Sequence, residues 1–486
     1  MKKIKAYYKS IPIQVKASLW FLISMVFQNA LAALSTPFFT RLMTTSEYGR
    51  YSVILSWQQI LNCFITLNIY GGVYAQGLVK QMGEIRNRYI SSFQGLLMSL
   101  VVGWFLIFLF IHQIIEEIID FTFVEGCFIF ILIWGTGIFQ IWAQAERTEF
   151  RYKKLVIVSI AYALISTVSG LLLVYSMDNK VTARILGLAI PAMVIYSGLF
   201  IGQIRKDRRI FDSDIWKHTI LLTIPLLPHY LSQIILNSSD RIMISNLVGE
   251  NEAGIYSLAY TLAQMMTLFN SALLSTIEPW IYKNIKEAEE TRKIGIENVA
   301  YISFSAIASM NILLIAFVPE IIKIFAPIEY YEAIWVIPPV SLSVFFMFIY
   351  SFFGLFEFYY EKSKYITVAT LTGAILNIVL NYIFINQYGY IAAGYTTLIC
   401  YMVYALMHYV FMKKVIRENL DGIRVYDVKI IMAISAVFIV LAFALMSTYS
   451  MPILRYVILI ILMIGMIIKR NFIVDQIIQI IKLRKE

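Results

Sequence analysis

Polar side chains recur at helical spacing in one otherwise apolar stretch of the chain. In IPLLPHYLSQIILNSSDRIMISNLVG, the residues His229, Gln233, Asn237 and Arg241 are spaced four apart. This spacing places them on one face of a helix, with Asp240 beside Arg241. Inside a membrane such groups cost several kcal/mol unless they face water or a partner, so the stripe predicts a substrate-binding cavity. Alternatively, Asp240 and Arg241 lie at the membrane interface, where they pair or extend towards water.

Further candidates for substrate binding lie in other apolar stretches. Arg41 directly follows residues 17–40, which contain no charged residue. Lining of a cavity and anchoring at the interface remain equally open for Arg41. The other candidates are glutamines, namely Gln28, Gln59 and Gln264. Hydrogen bonding between helices would also explain any one of them.

Three carboxylates are candidates for coupling transport to an ion: Asp240, Glu278 and Glu357. Glu278 and Glu357 are predicted near the cytoplasmic ends of two helices, where ordinary solvation is the favoured explanation. His218 and His408 have no companion in the sequence and are interpreted as structural.

The composition sets the class of protein. Of the 486 residues, 60% are hydrophobic and 14% charged, and the mean hydropathy is +0.74. A soluble domain cannot bury that much apolar surface. Apolar windows of roughly 20 residues, the length that crosses a bilayer as a helix, recur almost from end to end. We therefore predict an all-α polytopic membrane protein with about 14 transmembrane helices.

The net charge of +10 is explained by topology. If both termini are cytoplasmic, most of the 40 Lys and Arg residues fall in cytoplasmic loops, as the positive-inside rule requires. Nucleic acid is therefore not a predicted partner. A signal peptide over residues 1–32 is the less favoured alternative, because its removal would destroy the repeat described next.

Part of the sequence recurs 205 residues further on. LMTTSEYGRYS (42–52) aligns with LVGENEAGIYS (247–257), with five identities in eleven positions. Six predicted helices separate the two copies, so both have the same orientation, as in transporters built from parallel repeats. We predict two parallel six-helix lobes, residues 1–212 and 213–418, and an additional helix pair with a basic cytoplasmic tail, residues 419–486.

Signals for enzymatic chemistry are weak. Asp212-Ser213-Asp214 resembles the metal-binding acids of a glycosyltransferase but lies in a short cytoplasmic loop. The phosphate-cradling Gly-rich loop of ATPases is absent from the sequence. Cys63, Cys127 and Cys400 lie in apolar stretches without the spacing of metal ligands. We predict a protein that is not an enzyme and uses neither a metal nor a cofactor.

Four stretches carry a resemblance to a known family. DRIMISNLVGENEAGIYSLAYTLAQM (240–265) resembles the mid-chain signature of polysaccharide transporters in the multidrug/oligosaccharidyl-lipid/polysaccharide exporter superfamily. TRLMTTSEYGRYS (40–52) is similar to its N-terminal version. IIKIFAPIEYYEAIWVIPP and YGYIAAGYTTLICY are similar to later family patterns.

The resemblance implies a Wzx-type flippase of the bacterial cytoplasmic membrane. Such a protein turns undecaprenyl-diphosphate-linked oligosaccharide repeat units from the inner to the outer leaflet, for capsule or O-antigen synthesis. The family pattern implies a cationic cavity between two lobes, with Arg41 and Arg241 as candidates to line it. The lipid-linked oligosaccharide and membrane lipids are then partners, and the polysaccharide polymerase and export machinery are compatible ones.

Two other functions remain open. A cation-coupled multidrug exporter of the same superfamily should depend on acids inside the membrane rather than on arginines. Such exporters often carry an acid near the N-terminus, and residues 17–40 have none. A membrane glycosyltransferase or polymerase is less favoured, and it should depend on Asp212 and Asp214.

Overall fold

The computed structural model describes residues 11–81 and 83–468, which form helices and contain no β-strand. They group into two compact units, Met1–Ile242 and Met243–Glu486. The first unit contains α1 (Ile13–Leu42), α2 (Thr45–Thr66), α3 (Gly72–Lys80), α4 (Gly83–Ile119), α5 (Phe123–Thr148), α6 (Tyr152–Ser176), α7 (Lys180–Ile204) and α8 (Ser213–Thr223).

The unit boundary falls inside α9 (Leu227–Leu247), which follows a short 3-10 turn at Ile224–Leu226. The second unit continues with α10 (Glu250–Gln264), α11 (Thr267–Thr291), α12 (Glu297–Ala316), α13 (Val318–Phe325), a 3-10 segment at Ile328–Trp335, α14 (Ile337–Tyr359), α15 (Ser363–Tyr388), α16 (Ala392–Asn419), α17 (Val428–Ser447) and α18 (Pro452–Ile468). The two lobes predicted at residues 1–212 and 213–418, and the additional helix pair at 419–486, stay a prediction.

The all-α, polytopic class is confirmed. Within the described part of the chain, 11 helical segments are long and apolar enough to cross a membrane. The count of 14 is not confirmed, because the predicted second, eighth and last spans are absent from these eleven. The second is interrupted between α2 and α3, where Leu67 and Asn68 adopt left-handed conformations. The eighth is interrupted between α10 and α11.

The repeat is visible in the local geometry of both halves. Leu42 and Leu247 end two helices, and Thr45 and Glu250 begin the next ones, each pair 205 residues apart. The first copy begins with a capping box, in which Thr44 and Glu47 satisfy each other's backbone N–H groups. The second copy begins after Gly249 without a side-chain cap, so the two reversals share their position in the chain but not their capping.

A second turn also occurs twice, before α6 and before α15. Phe150 and Glu361 both have a φ of 55°. Arg151 and Lys362 follow them, both with φ −81° and ψ 54°. The same backbone path therefore joins α5 to α6 and α14 to α15, so the parallel repeat extends well beyond the aligned stretch.

Helix α18 and the loop before it make polar contacts with the rest of the second unit. Arg455 is 1% exposed and forms an ion pair with Glu320 of α13. The hydroxyl of Tyr449 donates to the carbonyl of Ile315, at 2.7 Å. Burial raises the pKa of Tyr449, so this hydroxyl keeps its proton and remains a donor.

Candidate functional site

The polar stripe predicted from the sequence lies on α9. The side-chain amide of Asn237 donates to the carbonyl of Gln233 at 2.8 Å, and the Arg241 guanidinium donates to the carbonyl of Asn237 at 3.2 Å. The ring of His229 lies 5.5 Å from that of Tyr230. Asp240 is 1% exposed and Arg241 is half-buried. The contacts of Asn237 and Arg241 run along the helix, so the stripe is continuous from Gln233 to Arg241, about two turns.

Helix α2 of the first unit contacts this part of α9. The hydroxyl of Ser238 donates to the Gln59 side-chain carbonyl at 3.4 Å. Where α2 is interrupted, a Cβ on Gly71 would lie 3.4 Å from the hydroxyl of Tyr230. Of the predicted glutamines, Gln59 is thus the one that the structure brings to α9.

The interruption after α2 is held by polar side chains. The Asn62 amide donates to the hydroxyl of Tyr70 at 2.7 Å, and the Thr66 hydroxyl donates to the carbonyl of Asn62 at 2.6 Å. The backbone N–H of Asn68 donates to the Thr66 hydroxyl at 3.2 Å. These bonds hold the backbone where the helix ends, although the side-chain oxygen of Asn62 is buried without a hydrogen-bond partner.

The other predicted binding residues have local contacts. Arg41 is exposed, and its guanidinium donates to the carbonyl of Pro37 at 2.8 Å. The Gln28 amide donates to the carbonyl and the hydroxyl of Ser24, at 3.1 and 3.2 Å. Gln264 is half-buried at the end of α10. Their assignment to a common cavity stays a prediction.

One further cation near the first repeat was missed in the sequence. The guanidinium of Arg184 on α7 lies 3.7 Å from the ring centre of Phe39 and 5.5 Å from that of Tyr51. A Cβ on Gly170 would lie 2.3 Å from an Arg184 nitrogen, so a larger residue there would force the guanidinium to shift. In the sequence, the only sign of this site is that Arg184 is a single cation near the start of an apolar stretch.

Glu357 and His408 form a buried pair. Nδ1 of His408 on α16 lies 2.8 Å from Oε1 of Glu357 on α14. The side chains are 2% and 0% exposed. The expectation that solvation explains Glu357, and that His408 has no companion, is therefore wrong. The residues are far apart in sequence, and helix packing brings them together.

The pair lies among aromatic rings and is not saturated. The His408 ring is 5.3 Å from that of Tyr350 and 4.5 Å from that of Tyr404. The second atoms, Oε2 of Glu357 and Nε2 of His408, are buried without a hydrogen-bond partner. A buried, unsatisfied acid and base are a costly arrangement that structural packing alone does not require.

The first half has an acid at the corresponding turn. Glu146 and Glu357 accept the same backbone hydrogen bond, from Arg151 and Lys362, at 2.9 and 2.8 Å. Glu146 is 6% exposed, and its carboxylate lies 3.8 Å from the Arg151 guanidinium. A permanent cation faces the acid of the first half, whereas a titratable base faces that of the second.

Glu278, on α11, is half-buried and hydrogen-bonds to Tyr282.

The Asp-Ser-Asp motif is a helix cap. Oδ1 of Asp212 accepts from the backbone N–H groups of Asp214 and Ile215, both at 3.2 Å. Its Oδ2 lies 2.5 Å from a guanidinium nitrogen of Arg88. Both oxygens of Asp212 are thus engaged at the start of α8. Among residues 11–81 and 83–468, His, Cys, Asp and Glu form no group of three placed to hold a metal.

Comparison with known proteins gives the family. A family model described as "Polysaccharide biosynthesis protein" matches residues 15–285, which is more than half of the chain. The chain belongs to this polysaccharide biosynthesis family. Within curated proteins, it is 23% identical over 219 residues to "Lsg locus putative protein 1" of Haemophilus influenzae, covering 42% of this chain. The match spans 52% of that relative, so the chain covers about half of its length.

Solved structures give the fold of this family member. The structure titled "Lipid II flippase MurJ, inward closed conformation" superposes with a TM-score of 0.72 at 16% identity, covering 94% of this chain and all of that one. An inward-facing multidrug resistance MATE family transporter of the MOP superfamily gives 0.59 at 12% identity, covering 81% and 95%. These superpositions give the fold, and the two neighbours are named as a flippase and a transporter.

Proposed function

We propose that this protein moves undecaprenyl-diphosphate-linked oligosaccharide repeat units from the inner to the outer leaflet of the bacterial cytoplasmic membrane, for capsule or O-antigen synthesis. The observation that carries the proposal is the polar, arginine-bearing stripe on α9, in a chain of the polysaccharide biosynthesis family with a flippase fold. Movement is by alternating access, with both termini on the cytoplasmic side.

In this proposal, Arg41 and Arg241 bind the diphosphate. Arginine keeps its charge and offers several donors in a planar fork, which suits phosphate oxygens. His229, Asp240 and the amides of the candidate set bind sugar hydroxyls, while the polyprenyl chain stays in the lipid. The amides are Gln28, Gln59, Gln233, Asn237 and Gln264.

The interrupted helices support a binding site in this region. The predicted second and eighth spans correspond to each other in the repeat, and both are broken, at 67–71 and at 265–266. In transporters with internal repeats, such paired interruptions mark the substrate site, because freed backbone groups are tolerated where they line a cavity.

A cation-coupled multidrug exporter is the second candidate. The Glu357–His408 pair favours it, because a buried acid facing a titratable base is suited to carrying a proton. Asp240 and Glu278 are the other candidates for ion coupling. The two functions differ in which residues they require, the arginines for a flippase and the acids for an exporter.

The test is leaflet-resolved transport in proteoliposomes that contain a fluorescent undecaprenyl-diphosphate oligosaccharide. We expect wild type to transport it, and Arg41→Ala and Arg241→Ala to lose about tenfold or more, since a charge-assisted hydrogen bond contributes about 1.5–3 kcal/mol. Arg241→Lys should recover part of the loss. Arg208→Ala, at an exposed loop position, is the matched control. Full activity in both alanine variants would make these arginines interfacial anchors.

A further inference from the structure

A cavity of about 560 Å³ opens in the second unit, between the end of α16 and the start of α17. Its base is apolar and formed by Met412, Ile416 and Val425, which are 2%, 3% and 4% exposed. Charged side chains surround this base: Lys413, Arg417, Arg424 and Lys429 are cationic, and Asp421 and Asp427 are anionic.

Both carboxylates of the cavity are already neutralised. Oδ2 of Asp421 lies 2.9 Å from Nε of Arg292. Asp427 accepts the backbone N–H of Lys429 at 3.0 Å and forms an ion pair with Arg424. The Lys429 N–H and the Arg424 guanidinium hold the pKa of Asp427 below its usual range, so it is ionised at neutral pH and compensates Arg424.

Three cations that line the cavity are not neutralised by a carboxylate of the described residues. Lys413, Arg417 and Lys429 are exposed, and the described part of the chain places no carboxylate within ion-pair distance of them. Lys413 and Arg417 are four residues apart on α16, where like charges repel. Uncompensated positive charge above an apolar base attracts an anion from solution or from the membrane.

In the first half, the connector that corresponds to the one between α16 and α17 is closely packed. There the corresponding connector also ends on a capping aspartate, Asp212, but it packs closely onto α4. A Cβ on Gly95 would lie 2.0 Å from the carbonyl of Ile210, and the Trp216 indole donates to the carbonyl of Ser92 at 3.0 Å. The basic cavity is therefore a feature of the second half.

We propose that the cavity binds a phosphate group, carried by the headgroup of an anionic membrane lipid. Lys413, Arg417 and Lys429 contact the phosphate oxygens, and the carbon atoms next to the headgroup lie on Met412, Ile416 and Val425. Basic pockets at the membrane ends of helices bind such headgroups. The volume far exceeds that of a free phosphate ion, and the apolar base favours an amphiphile. The proposal does not depend on the transported substrate.

The experiment measures lipid binding to the full chain, purified in neutral detergent, by native mass spectrometry. Phosphatidylglycerol, phosphatidylcholine and inorganic phosphate are the three probes. We expect the variant K413Q/R417Q/K429Q to bind phosphatidylglycerol about a hundredfold more weakly, because three cations near the headgroup are removed together. The control K286Q/K293Q/K364Q removes the same charge from exposed positions of the same unit and should bind as wild type.

Equal affinity for phosphatidylglycerol in the cavity variant and the control overturns the proposal. The proposal is also overturned if the cavity variant loses phosphatidylcholine binding as much as phosphatidylglycerol binding. The cavity would then hold lipid without using the charge of an anionic headgroup. Displacement of the lipid by inorganic phosphate at equal concentration supports a phosphate site but refutes the lipid as its source. The single variant Arg417→Gln provides the same comparison if the triple variant fails to fold.

Discussion

Glu357 and His408 present the sharpest question at the scale of single residues. Their closed site can be electrically neutral in two ways, as a carboxylic acid beside a neutral imidazole or as a carboxylate beside an imidazolium. Loss of one proton from either state leaves a negative charge that no third ionisable group of the described residues compensates within ion-pair distance. Uncompensated charge in such a site is costly, so the stability of the fold depends on each residue keeping its partner.

Replacing either member of this pair should destabilise the protein. Glu357→Gln or His408→Gln each leaves a buried polar group with a poorer partner, at a cost of about 1–3 kcal/mol. The double variant Glu357→Met/His408→Phe should lose less than the sum, because it removes both buried polar groups. Thermal unfolding in detergent measures this, and strictly additive losses would show that the two residues do not interact.

Asp212 should matter for stability and not for transport. Asp212→Ala removes a helix cap and the partner of Arg88, which together should cost about 1–2 kcal/mol. Asp214→Ala is the control, because Asp214 is exposed and caps no helix. Unfolding temperatures and transport rates are measured on both variants. Loss of all activity in both, with folding intact, would instead support the glycosyltransferase hypothesis.

At the scale of helices, glycine sets how closely α6 and α7 approach. A Cβ on Gly187 would lie 2.3 Å from the Cα of Gly170, which is backbone and cannot rotate away. The same contact positions Arg184 against Phe39, so the packing of two helices fixes a cation beside the first repeat. Close backbone approach through small residues is a common basis of helix association in membranes.

Gly187→Ala should therefore separate α6 from α7 and destabilise the first unit by about 1–3 kcal/mol, the usual cost of overpacking. Gly198→Ala is the matched control on the same helix, because nothing lies within 4 Å of its added methyl group. That control should be neutral or slightly stabilising, since alanine favours helix. Thermal unfolding compares them, and equal midpoints would show that the helices can move apart freely.

Helices could be predicted where the pattern of neighbouring residues alone determines them. Apolar length alone gave spans such as α4 and α14, and the four-residue spacing placed Asn237 and Arg241 on one face of α9. The interruption at Leu67 could not be predicted, because it depends on bonds from Asn62 and Thr66 to each other and to Tyr70. These residues are close in sequence, but the bonds among their side chains leave no trace in the apolar pattern.

At the scale of the molecule, two halves share a backbone plan and differ in chemistry. The same turn precedes α6 and α15, yet Arg151 faces the acid of one half and His408 that of the other. The connector is packed in the first half and opens into a basic cavity in the second. The two halves thus share a backbone pattern at these turns, while the side chains at equivalent places differ.

The proposed flippase function is tested most directly by offering both candidate substrates to wild type. Proteoliposomes receive a fluorescent undecaprenyl-diphosphate oligosaccharide in one leaflet, and a parallel set receives a cationic dye with a pH gradient. We predict that the lipid-linked oligosaccharide reaches the opposite leaflet and the dye is not moved above protein-free vesicles. Gradient-driven movement of the dye, with the oligosaccharide remaining in its original leaflet, would contradict the flippase proposal and favour a cation-coupled exporter.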